Sequence, residues 1–335
     1  MPFKYAPAVA GLFTPLLLVP ARVAGALWNL GSVVALAATV RLLLRFEPVG
    51  LPRGRALLAA ALAALVLGHP LHLDLLYGQV DLVMMLLLVA SATYAEREQP
   101  LPGGACFALA VLLKPPAAIF ALYLLRQHRL RALAAAALAG VLLWVPVLLR
   151  YGTQGALELL QAWSALVART TAPWALGHNV QGLPTLLLGL GWEGPADPSP
   201  RAMLLAQVLA LGLFTTGFLL GARERGTRLA LACLGTALLS PLAWRANYVL
   251  AFPLLWRVFI LAPGRWRRRG LALAAALALL PLVHLTGLLS PGQAMQLLLL
   301  RPYAWLFSLL ALWAVLMPPA AQRGSAQVSP RCGAG

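Results

Sequence analysis

Long uninterrupted apolar runs decide what this chain is able to fold into. Residues 21–44, 79–95, 131–149 and 202–222 each come close to the roughly 20 residues that carry a helix across about 30 Å of hydrocarbon. Such runs recur along most of the 335 residues, of which 61% are hydrophobic and only 10% charged. A soluble domain is typically about a quarter charged, so too little polar surface is present to coat one. The same oiliness excludes disorder. Inside a bilayer every backbone polar group has to be satisfied within the protein. The expected fold class is therefore an all-α, polytopic membrane protein.

Further spans are expected over 55–68, 227–243, 246–262, 270–289 and 301–317, giving about 9–10 in all. The stretch 103–125 is interrupted by Lys114-Pro115-Pro116. Proline removes a backbone donor and clashes one turn back, which predicts two half-helices meeting at Lys114. Residues 7–19 are broken by prolines and read as an interfacial or re-entrant helix. The expected organisation is an external interfacial segment over 1–20, a transmembrane domain over 21–317 with a long external loop at 150–201, and a disordered cytoplasmic tail over 318–335.

Charge placement fixes the orientation. The net charge is +17, and 18 of the 24 arginines fall on one side of this path, in clusters such as Arg126/Arg129/Arg131 and Arg265/Arg267/Arg268/Arg269. That is a positive-inside pattern, so topology accounts for the basicity and nucleic acid is not expected as a partner. Cys106, Cys233 and Cys332 share no metal or disulfide spacing. No secretory signal precedes the first apolar run. A chain that opens on the outer face with no preceding span implies a natural start further upstream.

Polar residues at membrane depth are costly and mark functional candidates. The segment 69–81, HPLHLDLLYGQVD, holds His69, His72, Asp74, Tyr77, Gln79 and Asp81 between apolar runs. His72 and Asp74 would alternate on an extended strand, whereas Asp74, Gly78 and Asp81 would share a helical face. Either a polar helix–helix turn or a water-filled pocket with a carboxylate base accounts for it. A metal would need further ligands that no second cluster supplies, so none is expected.

Lys114 is flanked by apolar sequence and needs an anion. A phosphate at the half-helix break, snorkelling to the interface, or pairing with Asp74 or Asp81 would each serve. Arg245 stands outside the basic face, in LLSPLAWRANYVLAFPLLW, with Trp244, Asn247 and Tyr248 beside it. A guanidinium suits a bidentate phosphate clamp, and an interfacial aromatic anchor is the alternative. His178, Asn179 and Gln181 in ALGHNVQGL offer donors and acceptors for hydroxyl groups, with Trp163, Trp174 and Trp192 supplying flat apolar faces. Phosphate-loop, dinucleotide, nucleophile-elbow and zinc-protease motifs are all missing, so ATP-driven work and soluble-fold catalysis find no support.

In order, the segments Tyr5-Ala6-Pro7, Gly78-Gln79-Val80-Asp81, Leu113-Lys114-Pro115 and Ser240-Pro241-Leu242-Ala243-Trp244 resemble those of glycosyltransferase family 87. That family contains polyprenol-phosphate-mannose-dependent alpha-mannosyltransferases of bacterial membranes. The resemblance implies the GT-C architecture: a helical bundle in the bacterial cytoplasmic membrane, with its active face external or periplasmic and a polyprenyl-phosphate sugar as donor. No covalently bound cofactor is implied. Its relatives carry an acidic catalytic base on an external loop upstream of the Tyr-Pro-Pro segment, and no residue here matches it. Asp81 stands where relatives have Asn, and Arg245-Ala246-Asn247 where a histidine often follows the tryptophan.

The leading expectation is thus a membrane glycosyltransferase that moves a mannose-like sugar, with inversion, from the lipid-linked donor to an external lipid or glycan acceptor. A truncated or inactive form of such an enzyme is included in that expectation. Asp74, then Asp81, is the substitute base. Lys114 and Arg245 hold the departing phosphate. Gln79, Tyr77, His178, Asn179, Gln181, Trp244, Asn247 and Tyr248 contact sugar or acceptor. The alternatives are a transporter or flippase of lipid-linked sugars and a non-catalytic membrane relative.

Overall fold

A computed structural model describes residues 5–46, 52–171, 176–190, 198–221, 223–261, 264–285 and 287–318. Among them every regular element is helical, and one isolated bridge pairs Val180 with Trp244. The helices are α1 (Pro7–Ala10), α2 (Ala21–Leu43), α3 (Arg53–Val66), α4 (Gly68–Leu76), α5 (Asp81–Glu96), α6 (Pro100–Leu113), α7 (Ala121–Arg126) and α8 (Leu130–Thr171). They continue as α9 (Leu183–Leu190), α10 (Pro200–Leu220), α11 (Arg225–Leu238), α12 (Phe252–Ile260), α13 (Arg265–Leu285), α14 (Pro291–Leu299) and α15 (Pro302–Leu316). Short 3-10 turns cover Gly11–Leu18, Pro115–Phe120 and Arg245–Ala251.

The bilayer turns the usual patterning inside out. In α2 the buried positions are Ser32, Ala35, Thr39 and Leu43, a mostly small stripe at helical spacing that packs on α5. Leu27, Leu30, Val33 and Val34 face outward. Small residues let membrane helices approach closely, because lipid chains offer no hydrophobic penalty to the large ones. The α6–α8 seam carries this furthest. A Cβ added to Gly104 would lie 2.5 Å from the Ala136 nitrogen and 2.7 Å from the Ala132 carbonyl oxygen.

At the centre sits α11, buried along Gly226–Leu238 except at Arg228. The 245–260 stretch beside it is nearly as enclosed. α5 packs against this core and acts as a ruler. Asp81 begins it and Glu96 ends it, about 22 Å apart at 1.5 Å per residue. At the Glu96 end the basic residues assemble: Glu96 pairs with Arg129 and Arg225, Arg257 with Glu224, and Arg55 donates to the carbonyls of Ile260 and Leu261. Asp81 belongs to the opposite end.

Two expectations change. Within the expected loop 150–201 the described residues are largely helical: helix α8 runs on to Thr171 past a break at Gly152 (φ 67°, ψ 177°), and 183–190 form α9. The apolar residues Ala156, Leu159, Leu160, Trp163 and Val167 recur at helical spacing, which the reading of a single long loop overlooked. Trp174 and Trp192 lie outside the described residues, as do most of 318–335 and residues 1–4. The span count is also lower by length. Four described helical runs (α2, α8, α10 and α14–α15) are long and apolar enough to cross a membrane, or five if α3 and α4, bent by 70°, form one broken span. The other expected spans are shorter helices, pairs broken at Lys114 and near Ser240, or α13, which is 21 residues long but opens on four arginines.

Candidate functional site

The break at Lys114 builds the site. Pro115 and Pro116 bring no N–H groups, so α6 stops and Lys114 turns extended (φ −143°, ψ 110°). In an unbroken helix the nitrogen of residue 116 would bond the carbonyl of residue 112. That carbonyl instead accepts the backbone N–H of Ala6 at 3.3 Å. The break therefore docks the N-terminal segment and brings Tyr5 beside the carboxylates of Asp81 and Asp74, whose charges it feels. Burial, with those two charges adding to it, pushes the Tyr5 hydroxyl up to about 12.

Lys114 Nζ lies 2.7 and 2.8 Å from the Asp81 oxygens and 3.4 Å from Gln79 Oε1. Asp81 is wholly buried and the Lys114 side chain is 18% exposed. Of the alternatives left open for Lys114, pairing with Asp81 is the one adopted here. Trp28, in mid-α2, donates its indole N–H to the Gln79 carbonyl and leans on Phe13, which stacks on Tyr5. An aromatic wall thus closes one side of the acid pair. Beyond Tyr5, an apolar cavity of about 290 Å³ runs between α1 and α8, walled by Pro7, Leu159, Trp163 and Leu166.

Asp74 is placed on helix α4, which rules out the extended alternation with His72. It is 0% exposed, and neither carboxylate oxygen has a partner in ordinary hydrogen-bond geometry within the described protein, the Asp81 backbone N–H being a polar neighbour. It lies within electrostatic reach of Asp81 and Lys114. A buried carboxylate without such a partner is costly, and a catalytic role is one physical reason to retain it.

Arg245, at the start of the 3-10 turn Arg245–Ala251, forms a second centre against helix α4. Its Nε donates to Asn179 Oδ1 at 2.9 Å, and its Nη1 lies 3.4 Å from His69 Nε2. Tyr77 and Tyr303 are close enough to interact with its charge. His69 and Asp74 are five residues apart on α4, or about 7.5 Å of helical rise. Helix α4 thus carries one residue of each centre: His69 beside Arg245, and Asp74 within electrostatic reach of Asp81 and Lys114.

The remaining predicted residues divide by access. Tyr77 and His178 are exposed, and Gln79, Asn179 and Trp244 are half-buried. Gln181, Tyr248 and Asn247 are buried. The Gln181 amide donates to the carbonyls of His178 and Leu298 and accepts from the Tyr303 N–H, while Tyr248 donates to the Gln181 carbonyl and stacks on Phe307. Sequence reasoning missed Arg301, Trp28 and the pairing of His69 with Arg245. A lone arginine off the basic face and a lone tryptophan in mid-span were the available signals. Among the described residues no cluster of three or more His, Cys, Asp or Glu is grouped to hold a metal.

The family model for glycosyltransferase family 87 matches residues 3–244. The chain is 28% identical over 273 residues to the polyprenol-phosphate-mannose-dependent alpha-(1-2)-phosphatidylinositol pentamannoside mannosyltransferase of Mycolicibacterium smegmatis, covering 76% of this chain and 60% of the relative. It is 27% identical over 304 residues to the phosphatidylinositol mannoside mannosyltransferase of that organism, covering 83% and 66%. It is 30% identical over 327 residues to the pentamannoside enzyme of Mycobacterium tuberculosis, covering 91% and 69%. The chain thus spans less than two thirds of the length of the first two relatives. No solved structure matches.

Proposed function

The chain belongs to glycosyltransferase family 87, and from that premise we propose that it transfers a mannose-like sugar from a polyprenyl-phosphate donor to a lipid or glycan acceptor, at a site facing away from the arginine-rich end of this multi-pass membrane protein. The relatives are named for a polyprenol-phosphate-mannose donor and phosphatidylinositol mannoside acceptors. On the positive-inside rule the arginine-rich end is cytoplasmic, which puts the site on the external side of the bacterial inner membrane.

One observation carries the assignment of roles: the buried carboxylate of Asp74, with no side-chain hydrogen-bond partner, shares helix α4 with His69, the partner of Arg245. Asp74 takes the proton of the acceptor hydroxyl. That oxygen attacks the anomeric carbon, the bond from carbon to phosphate oxygen breaks, and the electron pair leaves with polyprenyl phosphate. Arg245 meets the departing phosphate, and Lys114 adds positive charge from its seat on Asp81. Asp81 itself holds Lys114 rather than acting as base.

Tyr77, His178, Asn179, Gln79 and Trp244, the reachable members of the predicted set, meet sugar and acceptor hydroxyl groups. Gln181, Asn247 and Tyr248 support the loop and core behind them. Asp74 is sealed from solvent here, so the acceptor has to displace a cover to which Tyr5 belongs. The apolar cavity beside Tyr5 suits a lipid chain.

The test is turnover by purified protein in proteoliposomes with polyprenyl-phosphate mannose and phosphatidylinositol mannoside. Formation of a new glycosidic bond is the expected result. Movement of the sugar lipid across the bilayer without bond formation would make the protein a flippase instead.

A further inference from the structure

Arg301 lies outside the region matched by the family model and was not among the expected site residues, yet its geometry is the most constrained near the site. It is 4% exposed, and it precedes Pro302 with a left-handed backbone (φ 56°, ψ 47°). That conformation is unfavourable for a residue with a side chain, and the position before proline disfavours helical backbone. Strain of this kind persists only where the surroundings over-determine it. Here the guanidinium donates to three carbonyls of one loop: Gly177 at 2.7 Å, Val180 at 3.1 Å and Leu176 at 2.5 Å. A short tight loop has few ways to satisfy so many inward carbonyls without a forked donor of this shape.

The adjacent residue completes the fastening. Gln181 ties the same loop to Leu298 and Tyr303, and its backbone N–H donates to Ala243 at 2.7 Å. On the outer shoulder of the loop stands Asn179, whose Oδ1 takes the Arg245 Nε. A continuous set of contacts therefore runs from Arg301 through the carbonyls of 176–180 to Asn179 and Arg245.

We propose that Arg301 is a positioning residue: it braces the 176–181 loop so that Asn179 aims the Arg245 guanidinium at the phosphate of the lipid-linked donor. The inference rests on the reading of Arg245 as the phosphate contact. Arg301 acts through the loop rather than on the substrate: its Nη1 and Nη2 donate to the loop carbonyls, and its side chain is buried.

The full-length chain, reconstituted in proteoliposomes, supplies the test. Arg301→Met raises the donor KM about tenfold and weakens binding of sugar-free polyprenyl phosphate by a similar factor, the scale of one charge-assisted hydrogen bond, while kcat at saturation stays within about twofold. Arg301→Lys recovers part of the loss. Arg301→Lys serves if Arg301→Met fails to fold, through a smaller rise in donor KM, and Asn179→Ala raises the donor KM by removing the Arg245 contact itself. The double variant is no worse than the weaker of the two singles.

Effects that multiply in the double variant, or a lowered melting temperature with unchanged KM and phosphate affinity, overturn the brace. Hydrogen exchange at residues 176–182 separates this inference from the proposed reaction. It accelerates in Arg301→Met whether or not sugar is transferred, and unchanged exchange there sinks the brace. A wild-type protein that makes no glycosidic bond sinks the reaction alone.

Discussion

Lys114 places its ammonium 2.7 and 2.8 Å from the two carboxylate oxygens of Asp81, where α6 breaks off and α5 begins. Removing one member of a buried pair strands the other charge, at a cost of about 3–5 kcal/mol, whereas replacing both by apolar residues is often neutral. Asp81→Asn and Lys114→Met each lower the thermal midpoint in detergent, and Asp81→Leu combined with Lys114→Met recovers most of the loss. A double variant as unstable as the singles would show that the pair does not stabilise the break.

Asp74 predicts the opposite stability response. Its oxygens have no side-chain hydrogen-bond partner within the described protein, and Asn keeps an acceptor for the Asp81 backbone N–H, so Asp74→Asn removes a poorly solvated carboxylate without breaking a contact. The thermal midpoint holds or rises, while turnover falls by about 10²- to 10⁴-fold, the usual worth of a general base. Turnover within a few-fold of wild type removes Asp74 from the role.

Arg245 distinguishes a fork from a point charge. Arg245→Lys keeps the charge but loses the bond to Asn179 and the planar pair of donors. The donor KM rises about tenfold for lysine and further for Arg245→Gln, at the roughly 1.5–3 kcal/mol expected of a charged hydrogen bond. Equal KM values for all three proteins would place the phosphate elsewhere.

The Tyr5 hydroxyl, pushed up to about 12, stays protonated across the range in which such enzymes are assayed. Tyr5→Phe therefore leaves the shape of the pH–rate profile unchanged up to about pH 10, whatever it does to the rate. An alkaline limb that disappears in this variant would give Tyr5 a proton-transfer role.

At the α6–α8 seam, Gly104→Ala drives a methyl to within 2.5 Å of backbone atoms that have no rotamer to change. Overpacking of this kind costs about 1–3 kcal/mol. The variant melts lower than Gly140→Ala, whose added Cβ meets nothing within 4 Å. Equal midpoints for the two would contradict the close approach of the helices.

How far these features were legible follows from what each signal encodes. Apolar run length gave the all-α membrane fold, and the prolines after Lys114 located the helix break, because both are local properties of the chain. Asp74, Asp81, Lys114 and Arg245 stood out because a polar residue among apolar ones is visible without a fold. Their pairing was not visible. Lys114 with Asp81, or Arg245 with Asn179 and His69, joins residues more than thirty positions apart, and several partners satisfied the same electrostatics. The helical continuation of α8 was obscured by Gly152, which breaks regularity for one residue and invites the reading of a long loop. Arg301 was hidden because nothing in its immediate sequence announces that three carbonyls of a distant loop converge on it.

The carbonyl of Leu112, left vacant by Pro116 and taken up by Ala6, has a consequence for biogenesis. Residues 5–10 are synthesised before their docking point, which lies more than a hundred residues further along. It exists only once α6 has been made and has stopped short. The cover over the acid pair is thus made before its seat and settles only after the break at Lys114 has formed. A proline pair that reads as a simple interruption also times the closing of the chamber.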